Sequence, residues 1–193
     1  MRNKNIAGIV FVLGNLLGVV PIAGQAGVYR PDRYQEWLEA IHQAPVAHTI
    51  SSLLFLIGAL AGVRLGIDLY QKGYRNVGFL LGLGGASNAA WLPAPLVIAQ
   101  LRLQAGAFGL AMSLFADSIF NGVLGVAMII LGRKLLREGR KKLGISGILI
   151  GLINSIVFTQ FWWEGGAKLL GIIGPFWLGW WLVWSLRSNA DKE

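Results

Sequence analysis

Within the long apolar stretches of this 193-residue chain, few side chains can bind or transfer anything. Asp117 and Asn121 are four residues apart, so on a helix they share one face. Asn15, Asn88 and Asn154 stand near the middle of three other apolar runs. Ser87 and Ser113 lie nearby in sequence and could join them. Asp117 is ten residues in from Ala107, about 15 Å at the rise of an α-helix. Asn88 and Asn154 are each eleven residues in from the opposite side, about 16 Å, so these groups share a depth. A polar group so far from water must find a partner. The chemistry open to this set is binding of a proton, a cation or a small polar ligand, with Asp117 as the titratable member. The structural alternative is amide glue between helices, at less than about 1 kcal/mol per bond.

Other candidates are weaker. His42 and His48 are six apart, off a common helix face, and suit an interfacial position better than metal or haem ligation. Arg64 and Asp68 form an i, i+4 pair near the end of an apolar run, where Arg64 can extend its head to water. Trp177, Trp180, Trp181 and Trp184 make a stripe at helical spacing, suited to an apolar ligand, a lipid-facing surface or packing. Gly58, Gly62 and Gly66 form a ridge that lets another helix approach closely, within the chain or in a second copy. Gly82–Gly85 follows no strand and is not a dinucleotide loop. With no cysteine and no phosphate-binding or nucleophile-elbow motif, the sequence names no catalytic residue, no metal ligand and no cofactor.

The elements that must position these residues follow from composition. The chain is 55% hydrophobic and 13% charged, against about 25% charged in soluble domains. The expected fold is an all-α integral membrane protein, one polytopic domain of six transmembrane helices. The expected spans are about 6–23, 46–70, 77–98, 107–131, 143–161 and 169–186. Pro93 and Pro95 must kink or end the third, and Gly171, Gly174 and Pro175 soften the start of the sixth. The first run is long for a cleaved signal, so it is expected to be retained.

Charge placement orients the bundle. With both termini cytoplasmic, the inner segments hold twelve Lys and Arg and the outer segments four. Trp37, Trp91, Trp162 and Trp163 then fall at the outer boundary as an interfacial belt. Pro31 opens an amphipathic helix over about 31–43, with Tyr34, Trp37, Leu38 and Ile41 on its apolar face. It is expected to lie on the outer membrane surface or to cap the bundle.

A shift of 66 positions lays Leu65–Asn88 on Leu131–Asn154 with eight identities, Gly73/Gly139 and Asn88/Asn154 among them. Such a parallel repeat occurs in some transporters. The basic run Arg133–Lys142 should favour anionic lipid headgroups, and nothing in the chain suits nucleic acid. The first expectation is therefore a non-enzymatic plasma-membrane protein that binds a partner protein, lipid or apolar ligand, as a monomer or homo-oligomer. The second is a small proton- or ion-coupled transporter built on Asp117. A third is an outer-face lipid-modifying enzyme using His42, His48, Glu39 or Glu164, although no nucleophile–base pair is visible.

Overall fold

The computed structural model describes residues 5–28, 33–101 and 106–187, and among these every regular element is a helix. Helix α1 spans Ile6–Val19 and continues as a 3-10 segment, Val20–Val28. The others are α2 (Tyr34–Gln43), α3 (Pro45–Gln71), α4 (Arg75–Trp91), α5 (Pro93–Leu101), α6 (Ala107–Arg137), α7 (Lys141–Ile156) and α8 (Glu164–Arg187). A second 3-10 segment, Val157–Phe161, follows α7. Among the described residues, five segments are long and apolar enough to cross a membrane: Ile6–Gly24, Pro45–Gln71, Phe108–Arg137, Lys141–Phe161 and Glu164–Arg187.

The expected third span differs. It is not one helix but two, α4 and α5, divided at Leu92. Pro93 and Pro95 supply no backbone donor, so the ladder is interrupted there. The expected sixth span begins earlier than 169, because Pro175 is accommodated inside α8 and the helix runs from Glu164. The chain termini expected inside lie outside the described residues, as do Pro31 and Asp32 of the predicted amphipathic helix.

Local chemistry sets the helix ends. The Asn5 side chain accepts from Gly8 N at 3.2 Å and caps α1. Pro45 opens α3, where its missing donor costs nothing. Gly73 and Gly139 end α3 and α6 with φ of 85° and 80°, a conformation that glycine adopts without a Cβ penalty. Beyond them, Tyr74 N donates to Leu69 O and Arg140 N to Leu135 O, both at 2.9 Å. These are two copies of one Schellman turn, at the two places the 66-residue shift superimposes. The repeat thus has a counterpart in the structure: α3–turn–α4 and α6–turn–α7.

Packing is close wherever two backbones cross. A Cβ added to Gly14 would lie 2.6 Å from Gly58 Cα, and one on Gly66 would lie 2.6 Å from Gly78 O. In the second hairpin, a Cβ on Gly132 would lie 2.7 Å from Gly144 O. The glycine ridge of α3 is therefore consumed within the chain. Gly58 and Gly62 face α1, through Asn15 and Phe11, and Gly66 faces α4. The helices close in the order α1, α3, α4, α6, α7, α8, with α8 packing back on α1.

Polarity is inverted relative to a water-soluble domain. Phe108, Phe79 and Ile172 are 71%, 63% and 65% exposed, while Asn154, Asn121 and Gln160 are at most 2% exposed. An apolar outside and polar groups within suit lipid as the surrounding solvent.

One end of this bundle is basic. The two Schellman turns meet there, with Lys134 Nζ 3.5 Å from the centre of the Tyr74 ring, a cation–π contact. Burial and the neighbouring Glu138 push the Tyr74 hydroxyl above its usual pKa of 10.0. The start of α1 and the end of α8 share this end, since Gly8 packs on Ser185.

Candidate functional site

The polar groups converge on α6. Asp117 is partly buried on this helix, and its carboxylate accepts three amide N–H donors. Gln160 Nε2 donates to Oδ2 at 2.8 Å, Asn121 Nδ2 to the same oxygen at 3.1 Å, and Asn88 Nδ2 to Oδ1 at 3.5 Å. Asn121 Nδ2 also donates to the Asp117 carbonyl at 2.9 Å. Asn154 Nδ2 donates to the Asn121 carbonyl at 2.8 Å. The result is a continuous chain, Gln160–Asp117–Asn121–Asn154, joined from the side by Asn88.

Each member is placed by a specific element. Asp117 and Asn121 are one turn apart on α6. Asn88 comes from α4, four residues before the interruption at Leu92. Asn154 comes from α7, three residues before that helix tightens at Val157. The two asparagines are equivalents under the 66-residue shift, so each hairpin contributes one amide to α6, and each ends its regular helix just beyond it. Gln160 sits in the 3-10 segment, whose narrower turn carries a buried glutamine toward Asp117.

Of the five midplane residues expected from the sequence, four meet: Asn88, Asp117, Asn121 and Asn154. Asn15 does not. Its Nδ2 donates to Phe11 O of its own helix at 2.8 Å, and it lies against Gly58 at the α1–α3 contact. Ser51 bonds that same contact, donating to Gly18 O at 2.6 Å. Gln160 is the member the sequence reading missed. Its signal was weak: an amide at the last turn of an apolar run, two residues before Trp162.

The electrostatics are one-sided. Among the described residues no cation pairs with Asp117. Among the described residues, the side-chain oxygens of Asn121 and Asn154, both fully buried, have no donor. Apolar layers close both ends of the chain. On one side, Trp37, Leu38 and Ile41 of α2 pack with Ile98, Leu110 and Leu114, and Phe161 joins them. On the other, Leu124, Ala127, Met128 and Leu131 are completely buried.

The tryptophan stripe does not face lipid. Trp177, Trp180, Trp181 and Trp184 are at most 4% exposed. Trp177 and Trp181 pack on Phe11, with ring centres 5.9 and 6.3 Å apart, and Trp180 Nε1 donates to Leu143 O at 3.0 Å. The stripe is where α8 seals the ring against α1 and α7. Trp37 also departs from expectation: it is 6% exposed in the α2 contact rather than part of an interfacial belt, while Trp162 and Trp163 are 59% and 53% exposed. Arg64 and Asp68 form an ion pair at 3.1 Å on α3. His48 is 2% exposed, and His42 lies on α2. No family model, no curated protein and no solved structure matches the chain.

Proposed function

We propose that this chain is a six-span plasma-membrane protein that works as a small proton-coupled transporter, with Asp117 as the group that takes up and releases the proton. The carrying observation is the buried amide chain around a carboxylate that has no cation partner among the described residues. A carboxylic acid in such surroundings is a functional group by default in a membrane interior. The helix interruptions support the reading. Equivalent segments broken at equivalent places in two repeats are a mark of transporter binding sites, and here the breaks follow Asn88 and Asn154 directly.

The orientation proposed is basic end inward. Lys72, Arg75 and the run Arg133–Lys142 then face the cytoplasm, within reach of anionic headgroups, and so do both termini. Broken α4–α5 supplies the sixth crossing, and α2 caps the outer end of the bundle. The features that favoured an apolar-ligand binder, the tryptophan stripe and the glycine ridge, are taken up by packing inside the chain.

The test is proton flux in proteoliposomes carrying an internal pH-sensitive dye. Wild type should dissipate an imposed pH gradient faster than protein-free vesicles. The Asp117→Asn variant keeps the size of the side chain and should fall to the protein-free rate. Equal flux in both would overturn the assignment.

A further inference from the structure

Resting on the reading above, we infer that the species exchanged against the proton is a monovalent cation stripped of its water, an alkali ion or ammonium, held by the Asp117 carboxylate with the side-chain oxygens of Asn121 and Asn154. Asn121 and Asn154 are at most 1% exposed, and neither side-chain oxygen receives a donor from the described residues. Buried acceptors are seldom left unsatisfied, because each carries the desolvation cost of a lost hydrogen bond.

The identity of the unpaired atoms is fixed by their neighbours. Turning the Asn154 amide over would aim its oxygen at the Asn121 carbonyl, now 2.8 Å from the donor. Turning Asn121 would set its oxygen against both a carbonyl and a carboxylate oxygen of Asp117. Both orientations therefore follow from the network, and the groups left over are acceptors. A positive ion or an N–H donor complements them; an anion does not.

Charge count selects the valence. The site holds one carboxylate. The titratable groups on the elements packed against α6 are Arg75 on α4, Lys141 and Lys142 on α7, and Tyr34, Glu36, Glu39 and His42 on α2. None of these is bonded to Asp117, and α5 carries none. A monovalent ion neutralises the carboxylate, whereas a divalent ion would leave a net charge buried. The same count makes occupancy exclusive. A cation arriving at the protonated acid displaces its proton to water, and a returning proton displaces the cation.

The experiment measures proton release from purified protein in weakly buffered detergent solution. Sodium, potassium and ammonium chloride are added at matched pH and ionic strength, with choline chloride as the large-cation reference. At least one of the three small cations should release up to about one proton per chain with saturation; which one does so separates alkali ion from ammonium. Asp117→Asn should abolish the release, and Asn154→Leu should shift its midpoint to at least several-fold higher salt. Gel filtration checks that both variants remain folded, and the wild-type comparison stands without them. No release above the choline reference from any of the three salts overturns the inference, leaving water as the partner of the two oxygens. Flux without release would retain the transport reading and remove this one. Release without flux would retain the cation site and remove transport.

Discussion

At the scale of single residues, Asp117 and Trp181 show how one structure handles polar and apolar groups in the same interior. Asp117 is held by Asn88 of α4, by Gln160 of the second 3-10 segment and by Asn121 one turn along its own helix, so tertiary packing and its own helix set its geometry together. Trp181 is fully buried between Trp180 and Trp184, at ring distances of 5.2 and 5.4 Å. Truncating such a residue leaves a cavity as well as removing contact area, so Trp181→Ala should destabilise the bundle by about 3–5 kcal/mol. Unfolding followed in mixed detergent micelles checks this; a loss below about 1 kcal/mol would contradict a core position for the stripe. The depth of Asn88, Asp117, Asn121 and Asn154 was legible in the sequence, because residue count along a helix fixes depth. Rotation about the helix axis was not. Lipid and bundle interior are both apolar, so hydrophobic periodicity does not separate them. That is why depth alone groups Asn15 with residues it does not meet, and why sequence alone does not assign the tryptophan stripe to a face. Gln160 was hidden for a different reason: its position depends on a 3-10 turn that no residue nearby announces.

At the scale of elements, the two hairpins carry the architecture. The repeat was legible through Gly73/Gly139 and Asn88/Asn154, and the structure supplies the reason for those pairs. One glycine pair makes the turns and the asparagine pair reaches α6. Between the turn and the asparagine, glycine allows the backbones to cross. Gly66→Val should therefore cost about 1–3 kcal/mol, since the added atoms meet backbone of α4 and not a movable side chain. Gly179→Ala is the control. A Cβ there meets nothing within 4 Å, so the change should be neutral or stabilising by up to about 1 kcal/mol through helix propensity. Parallel thermal melts in one detergent distinguish the two, and an equal loss at both sites would contradict the close crossing. The interruption of the third span was also legible, because two prolines stand two residues apart. What the sequence did not convey is its use, which is to end α4 just past Asn88.

At the scale of the whole molecule, the proposed mechanism needs the polar chain to meet water alternately from each side. In the state described, apolar side chains lie beyond both of its ends. The α2 contact around Trp37 and Leu114 covers one end, and the Leu124–Leu131 layer covers the other. The irregular backbone beyond Asn88 and Asn154 lies nearest the α2 end, so opening there needs the least loss of regular helix. Orientation can be checked directly, since the chain contains no cysteine and any single cysteine reports alone. In intact cells, Lys168→Cys should react with a membrane-impermeant maleimide, while Lys72→Cys should react only after permeabilisation. The reverse pattern would contradict the inward basic end.

Proton exchange at Asp117 inside the bundle has a spectroscopic signature. Infrared difference spectra of the purified protein, recorded between acidic and alkaline pH, test it most directly. A protonated-carboxyl band should bleach as pH rises and be absent from the difference spectrum of Asp117→Asn. A spectrum that is the same in wild type and variant would contradict it.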